Sequence, residues 1–348
     1  MIHTEPKVLV LGGNRGRWSA SERASEAATM TGIESWVYAF NGNYQQGVVA
    51  TRRNINDHDI IIANTNSPAL ENLVRCCQER GTNTKWVTLI EGDAHDYLKP
   101  RPYIRDLLDS SDLVICINKY TQSFFRNFAS AKVVYLGMPY PAEGIRALAT
   151  PQKQRRREIF LTPMLLTRWS EYFCTKDMGI PMYGYENRLT RNSRSIIQSL
   201  MRYRSLDPWH HHKRARNLLK DSSIIIHREE PLPQYFERNG GAYVWLSLEP
   251  RYTWGRNVLD AAALQVPIIT TKATGHVEDF FPELVLENEF EFEKARMLID
   301  RLFKDKEFYS HVTTIPLELF ESFRPEEKRR QLMDLLFNSE PTQNEHHT

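Results

Sequence analysis

The amino-acid sequence predicts an α/β protein of two tandem domains, each a parallel sheet wrapped by helices. Three observations carry this expectation. The strand-like runs are continuously apolar, as in Lys7–Leu11 (KVLVL) and Ile60–Ala63 (IIIA), which is the pattern of strands buried on both faces. Helical stripes with start and stop residues recur between them. At 348 residues the chain exceeds the size at which one core keeps growing, and the pattern restarts after a basic stretch near residue 151.

In the first half, Gly12 and Gly13 turn the chain out of the Lys7–Leu11 strand. Ser19 and Glu22 have the spacing of a capping box, so a helix follows, and Gly32 closes it. Trp36–Phe40 reads as the second strand and Ile60–Ala63 as the third. Ser67 and Pro68 form an N-cap and first-turn pair, and Leu70, Leu73, Val74 and Cys77 supply the apolar stripe that Gly81 ends. Cys77 is thereby expected in the core. Trp86–Ile90 is the next strand and runs into a polar turn, Glu91–Asp96 (EGDAHD); Leu113–Ile117 and Val133–Leu136 complete the series.

Pro151–Arg157 (PQKQRRR) reads as the interdomain linker. The apolar run Ile159–Leu161 follows, and the stretch 162–220 has the weakest pattern, with one helix expected over Ser193–Tyr203. Ile224–Ile226 and Tyr243–Leu248 read as strands around a helix Leu232–Arg238. A helix opens near Trp254 and runs to Leu264, and Pro267–Thr270 is a further strand. Ala295, Leu298, Ile299 and Leu302 mark an amphipathic helix, and Pro325 opens a last one that ends near Phe337. The expected domains are 1–150 and 151–324, with a closing helix 325–337 and a disordered tail 338–348.

A net charge of +2, 41% hydrophobic and 25% charged residues exclude a disordered chain or a fibrous rod. No apolar run approaches the length of a membrane span, so a cytoplasmic protein is expected, with a peripheral membrane position as a variant. Four cysteines without CxxC spacing fit a reducing compartment. One local patch stands out. Arg188, Arg191, Arg194, Arg202, Arg204, Lys213, Arg214 and Arg216 are interleaved with Tyr185, Tyr203 and Trp209, a composition able to contact phosphates and stack on bases. It equally suits anionic lipid or solvated helices. His210–His212 lacks ligand spacing, and no metal is expected.

The chemistry concentrates in Val244–Phe281. Gly255 at a helix start allows a ligand to approach the backbone where free amides favour a phosphate. Arg256 could add a bidentate clamp. Asn257 and Asp260 lie one turn apart on one helical stripe, and a carboxylate there suits a ribose diol or, alternatively, merely complements the helix dipole.

This segment resembles the signature region of the retaining glycosyltransferases of the GT-B fold, family 4 group, a pattern near E-G-F-G-x-x-x-x-E-A-x-A-x-G-x-P-V. Trp254–Gly255 stand at its F-G, Leu259–Ala262 around its second glutamate, Val266–Ile269 at its G-x-P-V-I region, and Thr274–Glu278 at the G-G-x-x-E turn. Asp260 replaces the second glutamate and Tyr252 the first, with Glu249 three residues upstream as a substitute. The resemblance implies two Rossmann-like domains facing each other across a cleft, with a UDP- or GDP-sugar held mainly by the second and no metal requirement. It also implies donor contacts from Gly13, Arg168, Lys176, His227, Arg228, Trp254, Gly255, Arg256, Asn257 and Asp260, and catalytic roles for Glu91, Asp93, His95 and Glu249. The acceptor would be a glycan, a lipid-linked glycan or, through the Arg-rich 188–216 region, nucleic acid, as in phage enzymes that glycosylate DNA bases. The rival readings are a noncatalytic GT-B module that binds nucleotide sugar or glycan, and a sugar-nucleotide epimerase.

Overall fold

The computed structural model describes residues 5–12, 32–65, 70–90, 103–162, 170–185, 222–227, 230 and 232–338. By contact the chain divides into two compact units, Met1–Ala142 with Tyr252–Trp254 and Leu317–Thr348, and Glu143–Arg251 with Gly255–Pro316. The second unit is therefore interrupted for three residues, which belong to the first.

In the first unit the elements run β1 (Val8–Gly12), α1 (Ser35–Phe40), β2 (Asn43–Gln46), α2 (Arg52–Asn56), β3 (Ile60–Asn64), α3 (Leu70–Gln78) and β4 (Lys85–Ile90), then α4 (Ile104–Asp109), β5 (Leu113–Cys116), α5 (Gln122–Phe128) and β6 (Val133–Tyr135). The strands form one sheet in the order β2-β1-β3-β4-β5-β6, parallel throughout. Both parities of β1 and β3 are buried, because a parallel sheet carries helices on each face. Leu9, Leu11, Ile61, Ala63 and Trp86 share a core cluster with Leu73 and Cys77 of α3. The apolar stripe of α3 is thus the face that meets the sheet, and Cys77 lies in the core, as the spacing predicts.

The second unit begins within α6 (Ala142–Arg146) and contains β7 (Arg156–Leu161), α7 (Ser170–Thr175), β8 (Met182–Tyr185), β9 (Ile224–His227), α8 (Leu232–Gly240), β10 (Ala242–Ser247), α9 (Arg256–Ala263), β11 (Ile268–Thr271), α10 (Val277–Phe280), β12 (Val285–Leu286), α11 (Phe292–Lys304) and α12 (Lys306–Thr313). Its sheet has the order β12-β11-β10-β7-β8-β9, again parallel. Counted within the unit this is the 3-2-1-4-5-6 order of dinucleotide-binding sheets, read from the other edge. The strand order reverses between β7 and β10, and ligands bind open α/β sheets outside the carboxyl ends of strands at such a point. The C-terminal helix α13 (Pro325–Met333) belongs to the first unit and packs on α1.

Several expected elements differ. Trp36–Phe40 is not a strand: it lies in the helix α1, where Trp36 and Phe40, one turn apart, stack at 6.1 Å in the core. Aromatic and β-branched content favours a strand, but tertiary burial of one helical face prevails. Asn41 ends this helix in the left-handed conformation, its amide donating to Tyr38 and Val37 carbonyls. The actual strand is the polar β2, the sheet edge among the described residues, so it shows no apolar run. β8 (MYGY) lies within the weakly patterned stretch, and its four residues are all buried.

The basic stretch Pro151–Arg157 is an ordered part of the second unit. Gln152–Gln154 make a 3-10 turn and Arg156 opens β7. Arg155 is buried, donating to the Tyr309 hydroxyl at 2.9 Å and the Leu264 carbonyl at 3.2 Å. The Ser19–Glu22 capping box, the Ser193–Tyr203 helix and the tail beyond Asn338 lie outside the described residues.

Candidate nucleotide-binding site

At the carboxyl end of β10 the chain passes through Ser247, Leu248 and Glu249. The buried Glu171 of α7 accepts the Leu248 amide at 2.8 Å, so a carboxylate from the segment after β7 holds the exit of β10 across the switch point. The Glu249 carbonyl accepts from the Thr271 hydroxyl at the end of β11, and its carboxylate accepts the Arg251 amide at 3.2 Å. Thr270 and Thr274 hydroxyls meet at 2.8 Å and close the turn after β11.

This turn supports the start of α9. Gly255 is the N-cap, with φ +81°, and has no side chain with which to cap the helix. A Cβ at Gly255 would lie 1.8 Å from the Gly275 carbonyl oxygen, so only glycine permits the two backbones to meet. At the other end of α9, Arg146 donates to the Ala262, Ala263 and Ile315 carbonyls and Arg155 to Leu264. The carbonyl end is thus satisfied by cations, which complement the helix dipole, while the amide end carries no acidic residue in its first turn. Such an end attracts an anion.

The side chains on α9 divide into two roles. Arg256, 49% exposed, lies 3.6 Å from Asp260 Oδ2 one turn on, and Asp260 is 1% exposed. Asn257 is anchored inward, its Nδ2 donating to Ser247 Oγ at 3.1 Å and its Oδ1 accepting the Val258 amide at 3.0 Å. The structure therefore brings Arg256 and Asp260 together at the helix start, and ties Asn257 to the end of β10.

The other expected residues are more dispersed. Lys176 follows α7, its ammonium 5.6 Å from the Phe173 ring centre. His227 ends β9 among aromatic rings, 5.5 Å from Tyr183 and 6.0 Å from Tyr185; burial, then the Arg238 cation, lowers its pKa. Trp254 belongs to the first unit, buried edge-on against Tyr140 at 6.4 Å. Its ring is a packing anchor for the segment before Gly255. Glu91, Asp93, His95, Gly13, Arg168, Arg228 and the basic patch Arg188–Arg216 lie outside the described residues.

Sequence reasoning missed Glu171, Ser247, Thr271 and Tyr235. Tyr235 of α8 lies within the field of Asp260 and Arg256, and burial first, then Asp260, raises its pKa. The only available signal was the polar ends of two apolar strands, Ser247 and Thr270–Thr271. Among the described residues no cluster of three or more His, Cys, Asp or Glu has metal-binding geometry, and no helix is long and apolar enough to cross a membrane.

No protein-family model matches the chain, and no curated protein sequence does. Solved structures do. An α-glucosyltransferase in complex with UDP and a 13-mer DNA containing an HMU base superposes with a TM-score of 0.63 at 10% identity, over 96% of this chain and 100% of that one. The fold is GT-B. The α,α-trehalose 6-phosphate synthase from Burkholderia multivorans gives 0.63 at 9% identity over 95% and 96% of the two chains. The lipopolysaccharide outer core galactosyltransferase WaaB gives 0.58 at 9% identity over 95% and 99%. The GT-B assignment agrees with the resemblance of Trp254–Glu278 to the family signature.

Proposed function

We propose that the protein is a glycosyltransferase that moves a sugar from a UDP- or GDP-sugar to an acceptor. The observation that carries this reading is the start of α9, where an amide end with no acidic residue in its first turn, opened by a glycine that lets the Gly275 backbone pack against it, and a half-exposed arginine stand beside a buried carboxylate. The amides and Arg256 bind the pyrophosphate, and Asp260 accepts hydrogen bonds from the ribose hydroxyls. When the bond between the anomeric carbon and phosphate oxygen breaks, negative charge grows on the departing diphosphate. Groups already aimed at that charge lower the barrier without reorganising. The acceptor oxygen then bonds to the anomeric carbon and its proton leaves to a base, a role we assign to the turn Glu91–Asp96 with His95. Retention of configuration, which rests on the resemblance of the signature, belongs to the same proposal, as do a cytoplasmic location and donor contacts from Gly13, Arg168, Lys176, His227 and Arg228.

For the acceptor we propose nucleic acid. Residues 188–216 hold eight Lys or Arg and a single acid, in a chain whose net charge is only +2. A stripe of that kind suits a phosphate backbone. The full-length structural likeness to an α-glucosyltransferase described with UDP and DNA supports the same reading. The test is incubation with UDP-glucose or GDP-sugars and an oligonucleotide carrying an HMU base, followed by mass analysis of the DNA. A sugar adduct on the base is expected. Release of UDP with no adduct on any oligonucleotide would refute the acceptor, and neither release nor binding of nucleotide would refute the transferase.

A further inference from the structure

Three consecutive residues at the carboxyl end of β10 each tie to a different element of the second unit. Ser247 Oγ accepts Asn257 Nδ2 of α9 at 3.1 Å, the Leu248 amide donates to Glu171 Oε1 of α7 at 2.8 Å, and the Glu249 carbonyl accepts the Thr271 hydroxyl of β11. Leu248 stands one residue beyond β10 and is fully buried, so its amide needs an acceptor within the protein. Glu171, 1% exposed, supplies one from the segment after β7. Its helix is pinned at the other end: Arg296 of α11 donates from Nε to the Cys174 carbonyl at 2.6 Å and from Nη2 to the Phe173 carbonyl at 3.2 Å. A continuous path of bonds therefore runs from α11 through α7 and Glu171 to the exit of β10, and on through Asn257 to the first turn of α9.

The strand order reverses between β7 and β10, so the Glu171–Leu248 bond spans the point at which a parallel sheet takes its ligand. A bond from an amide to a carboxylate is short and strong, and the length of the glutamate fixes how far Leu248 stands from α7. Any shift of Leu248 carries Ser247 with it, and Ser247 holds Asn257 two residues after Gly255. We infer that Glu171 is a positioning residue for the nucleotide site, setting through Leu248, Ser247 and Asn257 where the amide end of α9 stands. This rests on the reading of that helix start as the diphosphate site. The carboxylate is closed to a ligand by its burial, so it acts through the backbone of Leu248 and not by contact.

Two substitutions separate reach from charge. Glu171→Gln keeps the length of the side chain and an acceptor oxygen but removes the charge, whereas Glu171→Asp keeps the charge and withdraws the oxygens by one carbon–carbon bond, about 1.5 Å. UDP and GDP are titrated calorimetrically into the wild type and both variants, and each protein is melted thermally. Glu171→Asp is expected to weaken the nucleotide that the wild type binds by about 10- to 100-fold, the upper figure being that of a displacement by about 1 Å. The number of sites per chain stays that of the wild type, and Glu171→Gln stays within about threefold in affinity. A merely structural role would show the opposite signature, because misfolded molecules lower the number of sites titrated while the rest bind with the wild-type Kd. Should Glu171→Asp fail to fold, Ser247→Ala cuts the same path one residue on and is expected to weaken the nucleotide about fivefold; affinity equal to wild type then overturns the inference. Any order other than the aspartate variant weaker than the glutamine variant overturns the role of Glu171 and leaves the nucleotide site standing. Failure of the wild type to bind either UDP or GDP removes the site, and the inference with it.

Discussion

Replacing Gly255 by alanine tests the site through geometry alone. The new Cβ would lie 1.8 Å from the Gly275 carbonyl oxygen, 2.6 Å from its carbon and 2.9 Å from its Cα. These are backbone atoms, so no side-chain rotation relieves the clash. Contacts under about 3 Å are not tolerated, and the start of α9 must move away from the turn after β11 by more than 1 Å. The φ of +81° adds about 1–2 kcal/mol for any residue with a side chain. Together the strain and the displacement are expected to cost about 2–4 kcal/mol of stability. A shift of about 1 Å in a ligand-orienting group costs on the order of 100-fold in function. The assay is chemical denaturation of Gly255→Ala paired with calorimetric titration of UDP and GDP. A variant that melts like wild type and binds nucleotide within twofold of it would refute the claim that these two backbones meet at the ligand.

Lys328 of α13 is buried beside Phe323, its ammonium 3.2 Å from Gln331 Oε1, and burial lowers its pKa to about 8, against a smaller opposing effect of Glu327. Between that value and 10.5 the unfolded chain holds a proton that the folded chain lacks, so this residue makes stability rise with pH in that window and costs the folded state below it. Lys328→Met is expected to gain at most about 3 kcal/mol near pH 7 and to lose that pH dependence, which denaturation of both proteins from pH 7 to 10 will show. Burial pushes the thiols of Cys77 and Cys116 up to about 12 and that of Cys174 to about 11, and all four cysteines are buried. A thiol reagent at pH 8 should therefore leave the native protein unmodified and titrate four groups after unfolding. Arg155→Ala removes the cation from the Leu264 carbonyl and the Tyr309 hydroxyl, and should destabilise the protein by about 2–3 kcal/mol in the same denaturation assay.

The fold was legible wherever hydrophobic burial alone set the pattern. Val8–Leu11, Ile60–Ala63 and Trp86–Ile90 are buried on both faces, and their β-branched content together with the turn residues around them favours the strand. Trp36–Phe40 misled because five apolar residues fit either period, and only contact with the rest of the first unit decides between them. β2 was invisible for the opposite reason: an edge strand needs no apolar run. In the candidate site, Gly255, Arg256 and Asp260 were readable because conformation and charge at a helix start follow local rules. Glu171 was not, since it works through a bond to backbone many residues away, at Leu248. Arg155 shows the same limit, because a basic stretch reads as a linker until its partners are known.

Nucleotide affinity at the start of α9 is the property on which the transferase reading most directly depends. Calorimetric titration of UDP and GDP into the wild type and into Arg256→Ala, whose side chain is half exposed, measures it, with thermal melting of the variant to show that it folds without the cation beside Asp260. Saturable binding to the wild type at one site, weakened at least tenfold in the variant, is the predicted result. Binding of equal strength to both proteins would place the diphosphate elsewhere and contradict the account.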